Sequence, residues 1–379
     1  MAGARGGSFK ELISPFLKGK MAEADQRFGT DSREYRALAS QYVASPEENR
    51  ILSWERRRHY EAEVQLTFEG KPLVGIERLY RRTILIEPST VCAAHCRWCL
   101  RGQYPTGAMG QEDVVLAARY IGSPEQRDDL DEVLITGGDP LMTLSLLRFT
   151  FEQLAEHAPN VRTIRIGTRV PFQAPERIND ALLELLWSYK HLRIELGLHV
   201  NHPVEFWPET VDAITRLQQV GVRMYNQHPL LKGVNDDFET LVKLYSLLRQ
   251  HQIEAHYLFH AIPMRGMHHH RTSVAKGLEL ARALSSCGEF SGRAKPKYAV
   301  LSDIGKIVLY HDTIVDRRPH DNALLLRSGF KLTDRLTWNP SWKMPESVVI
   351  DNSGLMMTWY QDGFDDTVEA RVVAHRNQA

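Results

Sequence analysis

Residues 92–99 read CAAHCRWC and place three cysteines, Cys92, Cys96 and Cys99, at the spacing C-x3-C-x2-C. They follow the apolar run at residues 84–86, so the pattern predicts a buried strand that leads into a cysteine loop. Three thiolates on one short loop can face a common centre, and thiolate is the usual protein ligand of iron–sulfur clusters. Because the loop has no fourth cysteine, a four-iron cluster bound here would keep one iron open for a small molecule.

A structural zinc site is the main alternative for this loop. Such a site normally has four ligands, often arranged as two Cys-x-x-Cys pairs. The fourth cysteine, Cys287, lies far along the chain without a partner, and a complete zinc site made from one loop with His95 would be unusual. The spacing therefore favours a cluster held by Cys92, Cys96 and Cys99.

The composition indicates a large buried core and no excess charge. The chain has 379 residues, 43% of them hydrophobic, and its 47 basic and 47 acidic side chains give a formal net charge of zero. That balance argues against a nucleic-acid partner bound through bulk charge. Three clustered cysteines do not make a disulfide framework, and an oxygen-sensitive cluster fits a reducing cytoplasm. We expect a cytoplasmic protein, since no apolar run of about 18 residues predicts a membrane span and Glu11 interrupts any apolar leader.

From about residue 80 the sequence alternates between strand and helix patterns. Six apolar runs each end in polar residues, and amphipathic stretches such as residues 144–156 and 208–220 fit between them. The runs lie at residues 84–86, 133–135, 163–166, 194–199, 222–225 and 256–259. Six βα units predict a partial (β/α)6 TIM-like barrel of the α/β class, with its active site at the carboxyl ends of the strands.

The sequence divides into three regions by pattern. Residues 1–75 look helical, and the stretch SPEE at residues 45–48 is typical of a helix N-cap followed by proline and first-turn acids. We expect this N-terminal helical region to wrap the barrel or to make a subunit contact. Residues 76–290 should form the barrel, and residues 291–379 a C-terminal extension with strands at 298–301 and 306–310.

The cysteine loop and the segments that follow the predicted strands resemble the radical S-adenosylmethionine (SAM) superfamily and, within it, the lysine 2,3-aminomutase family. The resemblance runs from about residue 78 to about residue 315. Its segments are GGDP at 137–140, RIGTRVP at 165–171, HVNHP at 199–203 and NQHPLLKGVND at 226–236. It implies a radical SAM barrel with a [4Fe–4S] cluster and SAM, in which a 5′-deoxyadenosyl radical abstracts hydrogen from the substrate.

The resemblance also implies roles for individual residues. In the family's pattern Arg101 holds the substrate carboxylate and Arg169 holds the phosphate of pyridoxal phosphate (PLP), and a planar guanidinium suits both anions. The glycine turn after the second strand holds the amino group of the SAM methionine, and Trp98 lies near the adenine. The cofactor-binding residues implied in this way are Trp98, Gly137, Gly138, Asp139, Arg169, His202 and Gln227.

One part of the family's pattern is missing. Family members carry a glycine-rich loop, whose lysine forms the Schiff base with PLP, between segments like SGRAKP at 291–296 and GKIVL at 305–309. Here both flanks are present, but SDIG at residues 302–305 is only long enough for a hairpin turn. We therefore predict a β-hairpin with Lys306 just past its turn and no PLP bound to Lys306 or Lys295. Ile262 and Leu301 replace the family's acidic residues for the lysine ammonium, so L-lysine is not the expected substrate.

These features predict a radical SAM enzyme that acts on a small carboxylate-bearing, amino-acid-like molecule without PLP. One alternative is a PLP-dependent amino-acid 2,3-aminomutase not specific for lysine, which intact Arg169 favours. Another is a non-catalytic iron–sulfur protein for electron transfer or regulation. The expected partners are the small substrate and a flavodoxin- or ferredoxin-like electron donor, with no nucleic acid and no membrane; the pattern is compatible with a homo-oligomer.

Overall fold

The computed structural model describes residues 10–50, 66–100, 108–310 and 312–364. Within these residues the helices are α1 (Pro15–Phe28), α2 (Arg33–Tyr42), α3 (Gln111–Ile121), α4 (Leu144–His157), α5 (Val170–Gln173), α6 (Asp180–Ser188), α7 (Pro208–Gln219), α8 (Phe238–Gln250), α9 (Val274–Ser286) and α10 (Leu332–Trp338). The strands are β1 (Thr67–Phe68), β2 (Lys71–Pro72), β3 (Ile76–Glu77), β4 (Thr83–Ser89), β5 (Glu132–Gly137), β6 (Thr163–Thr168), β7 (Arg193–Leu198), β8 (Arg223–Leu230), β9 (Glu254–His260), β10 (Lys297–Ser302), β11 (Gly305–Val308), β12 (Ile314–Arg318), β13 (Ala323–Lys331), β14 (Val348–Ile350) and β15 (Leu355–Gln361).

Nine strands form one curled sheet in the order β11-β10-β9-β8-β7-β6-β5-β4-β3. Neighbouring strands from β4 to β10 are parallel, whereas β3 and β11 are antiparallel strands at the two edges. The strands from β4 to β9 are followed by α3, α4, α6, α7, α8 and α9 in turn, with α5 preceding α6. The six predicted βα units and the partial (β/α)6 barrel are therefore confirmed.

The side chains of the sheet alternate between two environments. In β5, Val133 and Ile135 are fully buried, while Glu132, Leu134 and Thr136 are only partly buried. Successive side chains of a strand point to opposite faces, so one set packs under the helices in a single large core. The other set faces the inside of the curl, a space that we call the lumen; its end at the carboxyl ends of β4–β9 is the mouth.

Strand β8 extends further than the sequence predicts. The fifth apolar run was expected to end before Asn226 and Gln227, but the strand covers Arg223–Leu230. The side chain of Asn226 accepts a hydrogen bond from the Val200 N–H and donates one to the Val200 carbonyl, both at 3.0 Å. The prediction was wrong because a polar side chain with these partners is satisfied inside a sheet and does not mark its end.

The two edges of the nine-stranded sheet approach each other at the β10–β11 hairpin. Ser302 pairs with Gly305, so residues 303 and 304 form the turn, and the predicted hairpin is confirmed. The Lys306 N–H donates to Tyr80 Oη at 3.2 Å. Because Tyr80 lies between β3 and β4, this contact joins β11 to the opposite edge and closes the lumen on that side.

A second sheet, in the order β12-β13-β15-β14, follows the barrel. Arg271 ties it to the barrel by donating to the carbonyl oxygens of Gln361 at 2.6 Å and Asp362 at 3.0 Å. His260, at the end of β9, contacts Tyr360 Oη through Nδ1 at 2.8 Å. The division of the chain at residues 75 and 290 stays a prediction; β10 and β11 lie beyond residue 290 and belong to the nine-stranded sheet.

The N-terminal helices begin at serine caps. Ser14 accepts a hydrogen bond from an N–H of the first turn of α1, and Ser32 does the same for α2. The predicted cap at Ser45 is present, but it starts a single 3-10 turn, Pro46–Asn49, instead of a long helix. None of the helices in the described part of the chain has the length and apolar character needed to cross a bilayer.

Candidate active site

The cysteine loop follows β4 and lies against the N-terminal helices. The His95 N–H donates to the Leu12 carbonyl at 2.8 Å, and the Arg97 N–H donates to the Gln41 carbonyl at 3.1 Å. Ala94 is buried in an apolar cluster with side chains of α1 and α2. The N-terminal region therefore clamps the loop from outside the barrel, which is more specific than the wrapping role expected from the sequence.

An ion pair buried beside the loop strengthens this clamp. Arg97 Nε lies 2.8 Å from Glu48 Oε1, and Arg97 Nη2 also bonds to Glu48 Oε2. The side chains are 0% and 7% exposed. Glu48 Oε1 also accepts from the Ser45 N–H at 3.2 Å. From the sequence, Glu48 was predicted only as a first-turn acid, because no local pattern links residue 48 to residue 97.

Cys92, Cys96 and Cys99 are partly buried and form no disulfide. Among the described residues, no group of three His, Cys, Asp or Glu side chains is arranged so that it could hold a single metal ion. A four-iron cluster binds its thiolates through different irons, so its ligands need not meet at one point. Three partly buried thiols on one anchored loop suit such a cluster, and their role as its ligands stays a prediction.

The glycine turn after β5 touches the start of the cysteine loop. The Gly138 N–H donates to the Ser89 carbonyl at 2.5 Å, and the next N–H donates to the Val91 carbonyl at 2.7 Å. Gly137 has a φ of 115°. A Cβ atom at Gly137 would collide with the Ser89 carbonyl oxygen, and one at Gly138 with that of Val91. Glycine is therefore required at both positions for this close approach.

Asp139 is buried and connects this turn to the loop after β6. Thr168 Oγ1 donates to its carboxylate at 2.8 Å, and the N–H groups of Leu141, Arg169 and Val170 donate at 3.1, 2.7 and 3.1 Å. Burial raises the pKa of Asp139, and these hydrogen bonds oppose that shift. The carboxylate thus orients the loop that carries Arg169, and its expected contact with the SAM ammonium stays a prediction.

The Arg169 guanidinium is buried at the mouth. Its Nη1 donates to Cys96 Sγ at 3.0 Å, while Nη2 donates to Glu205 Oε2 at 2.8 Å and to Gln41 Oε1 at 3.1 Å. Burial opposes its charge, but Cys96 and Glu205 hold the pKa of Arg169 above its ordinary value. The guanidinium thus bridges a carboxylate and a predicted cluster ligand, and its role toward a PLP phosphate stays a prediction.

His202 caps the 3-10 turn Pro203–Glu205 after β7. Its Nδ1 accepts from the Val204 N–H at 3.1 Å, and its side chain lines a cleft together with Arg33 and Lys243. Burial, assisted by these two cations, lowers the pKa of His202 to about 4. The ring is therefore neutral at physiological pH, and its contact with SAM stays a prediction.

His199 is the histidine of this segment that lies beside Trp98, with ring centroids 6.0 Å apart. Its Nε2 is buried and has no hydrogen-bond partner among the described residues. Burial lowers the pKa of His199 well below its ordinary value, so the ring is neutral at physiological pH. His199 was not singled out from the sequence, although it directly follows β7 and continues the two-residue spacing of Glu195 and Gly197.

Two aligned glycines give polar side chains of the neighbouring strands room inside the lumen. Gly167 and Gly197 pair in register on β6 and β7. A Cβ atom at Gly197 would lie 3.0 Å from both Gln227 Nε2 and Tyr225 Oη. Gln227 Oε1 is buried without a hydrogen-bond partner in the described part of the chain. A buried amide oxygen without a partner suits a ligand with hydrogen-bond donors, such as the SAM expected from the sequence.

A set of charged and polar side chains lies nearer the amino ends of the strands, with Arg165 and Glu195 two residues before Gly167 and Gly197. Arg165 Nη1 lies 2.7 Å from Glu132 Oε1, and Arg165 Nε lies 3.7 Å from Glu195 Oε2. Arg165 also donates to Tyr225 Oη at 2.7 Å. We call these four residues, with Lys306 of β11, the floor of the lumen. The floor was not predicted from the sequence, although charged residues within largely apolar strands are a signal of such a polar site.

Arg101, expected to bind the substrate carboxylate, lies outside the described residues. Trp98, expected near the adenine of SAM, lies at the mouth with its ring centroid 5.3 Å from the Arg169 guanidinium carbon. The structure thus brings Trp98, Arg169 and the cysteine loop together, with Gln227 deeper in the lumen and His202 in a separate cleft.

Comparison with known proteins identifies relatives of this chain. Residues 86–245 match the model of the Radical SAM superfamily. Over 256 residues the chain is 36% identical to a putative L-lysine 2,3-aminomutase of Aquifex aeolicus, covering 66% of this chain and 67% of the relative. An L-lysine 2,3-aminomutase of Methanococcus maripaludis is 34% identical, with 61% and 53% covered. A glutamate 2,3-aminomutase of Clostridioides difficile is 33% identical, with 60% and 53% covered. The chain thus spans about half to two thirds of the length of these relatives.

Proposed function

The chain belongs to the radical SAM superfamily and, within it, to the lysine 2,3-aminomutase-like family, and from this we propose that it takes hydrogen from a small amino-acid-like carboxylate by means of a SAM-derived radical. When bound, the [4Fe–4S] cluster passes one electron to SAM, and cleavage of the C–S bond supplies methionine and a 5′-deoxyadenosyl radical. The observation that carries the proposal is the anchored loop of three thiols at the mouth of a polar lumen.

The protein's own residues bind and orient the reactants. Cys92, Cys96 and Cys99 are the proposed cluster ligands. Around them the buried atoms His199 Nε2 and Gln227 Oε1, which lack partners among the described residues, are free to bind SAM. The contact between Lys306 and Tyr80 closes one side of the lumen and so limits the access of water to the radical, which prevents side reactions.

We propose that the reaction does not use PLP, because the hairpin turn at residues 302–305 is too short to be the loop that carries the PLP lysine in the family's pattern. The hairpin turn consists of two residues and contains no lysine. Arg169, which the family's pattern assigns to the PLP phosphate, is already paired with Glu205. Binding a phosphate there would require this buried ion pair to rearrange, and breaking such a pair is costly.

A PLP-dependent aminomutase is the second candidate, and one observation favours it. Lys306 faces the lumen, where its Nζ lies 5.3 Å from the Tyr257 ring centroid. A lysine in such a place can react with a carbonyl compound. Absorbance of purified protein offered PLP, followed by borohydride reduction and peptide mapping, decides between the two: an adduct on Lys306 or Lys295 restores the aminomutase.

The substrate class follows from the predicted Arg101 contact and from the lumen. Arg101 would pair with one carboxylate of the substrate. Ile262 and Leu301 stand where the family's pattern has acids, so a substrate ammonium would find no carboxylate there. The relatives are named for lysine and for glutamate, so an amino acid with a side chain other than lysine's is within the proposed range.

The experiment that tests the function is SAM cleavage by the reconstituted protein. Under anaerobic conditions with dithionite or a reduced flavodoxin, the protein should form 5′-deoxyadenosine from SAM, measured by chromatography. Cys92→Ala, Cys96→Ala and Cys99→Ala should each abolish cleavage and lower the iron content. Cys287→Ala is the matched control and should retain both. A Cys99→Ala protein with normal iron and full turnover would contradict the proposal, and a reconstituted protein that never forms 5′-deoxyadenosine would favour a non-catalytic iron–sulfur protein.

A further inference from the structure

Lys306 extends from the β10–β11 hairpin toward an aromatic wall of the lumen. Its Nζ lies 5.3 Å from the centroid of the Tyr257 ring and 5.5 Å from that of Phe259. The two rings stack on each other at 4.9 Å and 28°. Aromatic faces attract a cation through their quadrupoles, but they cannot replace the hydrogen bonds that an ammonium makes with water.

The ammonium has no anionic partner in the described part of the chain. No described residue accepts a hydrogen bond from Lys306 Nζ, and no described carboxylate lies within ion-pair distance. Glu77 and Glu132 act on it only from further away, and Glu132 is bound to Arg165 at 2.7 Å. Burial, assisted by the charge of Arg165, lowers the pKa of Lys306 to about 8. Lys306 is half-buried, and an ammonium that loses part of its hydration without gaining a paired anion is costly, a cost that a bound anion would relieve.

The position of Lys306 is fixed by contacts on both sides of its hairpin. Its N–H is bound to Tyr80, as described above. Arg335 Nη2 of α10 donates to the Ile304 carbonyl at 2.8 Å, and Ser347 Oγ donates to Asp303 Oδ2 at 2.6 Å. The C-terminal extension thus holds the turn that carries Lys306, and a binding group on a rigid support loses little entropy when a ligand binds.

We propose that Lys306 is a specificity-determining residue, whose ammonium binds a second anionic group at the end of the substrate that is farther from the cluster. This rests on the proposed function, in which the substrate is a small amino-acid-like molecule that carries a first carboxylate. The chemistry required is a carboxylate or a phosphate, since both accept hydrogen bonds from an ammonium. The wall of Tyr257 and Phe259 favours methylene groups over a polar chain between the two anions.

Equilibrium binding to the holoenzyme tests this inference. The reconstituted protein with SAM and without reductant cannot turn over, so calorimetry under argon can compare L-glutamate with its neutral isostere L-glutamine. O-phospho-L-serine compared with L-serine provides the phosphate arm. Wild type should bind at least one anionic ligand with a Kd at least about tenfold lower than that of its neutral counterpart. A tenfold difference in Kd equals about 1.4 kcal/mol of binding free energy. The arm that shows the preference identifies the anion as a carboxylate or a phosphate.

The variants assign that preference to one side chain. Lys306→Met should abolish the preference for the anionic over the neutral ligand. Lys306→Arg should keep most of this preference, and Lys297→Met should leave it unchanged. Lys297 is the matched control because it is exposed at the start of the neighbouring strand β10. If Lys306→Met does not fold by circular dichroism, Lys306→Gln replaces it in the same comparison.

Three results would overturn the inference: an unchanged preference in the Lys306 variant, no preference for either anion in wild type, or a PLP adduct on Lys306 after borohydride reduction. Formation of 5′-deoxyadenosine separates this test from that of the proposed function. A protein that cleaves SAM but shows no Lys306-dependent preference refutes only the inference. A protein that shows the preference but never cleaves SAM refutes only the function.

Discussion

Arg97, inside the cysteine loop, forms an ion pair with Glu48 that is almost completely buried, with Arg97 Nε 2.8 Å from Glu48 Oε1. The pair joins the 3-10 turn after α2 to the residue directly following Cys96. A buried pair of this kind adds little net stability over an apolar pair, but losing one partner leaves a buried charge. The position of the cysteine loop therefore depends on a segment 49 residues earlier in the chain.

The first prediction concerns this pair. Glu48→Ala should lower the free energy of unfolding by ~3–5 kcal/mol, because it leaves the Arg97 guanidinium buried without its carboxylate. The same variant should lose iron faster than wild type when challenged with a chelator. Denaturant unfolding and iron release followed by absorbance measure the two effects.

The matched control is Arg119→Ala, which removes a surface ion pair with Glu69 at 2.7 Å between side chains that are 49% and 40% exposed. It should change stability by only ~0–1 kcal/mol and leave iron retention unchanged. Equal effects of the two variants would show that the buried pair does not hold the loop.

The second prediction compares two glycines. Gly138→Ala should displace the segment that enters the cysteine loop, because the new Cβ would meet the Val91 backbone, which cannot move independently. Gly167→Ala places its Cβ 3.4 Å from Thr136 Oγ1, an ordinary contact, and should be tolerated. Iron content after reconstitution should fall in Gly138→Ala and stay at the wild-type level in Gly167→Ala. Normal iron content in both would contradict the role given to the turn.

The fold was predictable because its signals are local. Short apolar runs that each end in polar residues identified β4 to β9, since the strands of a parallel sheet covered by helices are largely apolar. The hairpin was predictable from length alone, because residues 302–305 leave room for a two-residue turn between paired strands. The predicted end of a strand was wrong where a polar side chain forms hydrogen bonds inside the sheet, as Asn226 does with Val200.

The site was less predictable, because its contacts join distant parts of the chain. Asp139 was assigned to a ligand by charge, but it is held by N–H groups about 30 residues further on. His202 was assigned to SAM by resemblance, which stays a prediction, and the structure adds His199 beside Trp98. The floor residue Arg165 lay inside a segment quoted only for its resemblance, and its partners Glu132 and Glu195 lie on two neighbouring strands.

The third prediction concerns Arg101, whose role comes from the sequence resemblance. Arg101→Ala should raise the substrate KM of the active enzyme severely, because removing one side of a buried charge pair costs ~3–5 kcal/mol. Formation of 5′-deoxyadenosine without substrate should persist, since that step needs only the cluster and SAM. Unchanged substrate-dependent turnover in Arg101→Ala would make Arg101 a scaffold residue.

The fourth prediction is the pH dependence of stability in Lys306→Met. Lys306 is faced by Arg165, Glu77, Glu132, His256 and Tyr257, and burial lowers its pKa from 10.5 to about 8. Below pH 8 the Lys306 amine is charged in both the folded and the unfolded protein. The free energy of folding then includes the full cost of burying this charge. Between the two pKa values the unfolded chain binds more protons, so wild-type stability rises with pH.

Lys306→Met lacks this group and should be more stable than wild type below pH 8, by up to roughly 3 kcal/mol at 1.36 kcal/mol per pKa unit. The difference should shrink as the pH rises toward 10.5. Unfolding midpoints of both proteins across this range measure it. A difference that stays constant with pH would mean that the Lys306 amine titrates normally in the folded protein.

The contact between Tyr80 and Lys306 also bears on the order in which the protein is assembled. The two residues are 226 positions apart in the chain, and contacts so distant in sequence form slowly, because a long loop must close first. During synthesis the clamp on the cysteine loop is complete once residue 99 has emerged, whereas the side of the lumen between β3 and β11 stays open until residue 306 follows. The three cysteines predicted to bind the cluster can therefore be reached through this open side before the last strand of the sheet is in place.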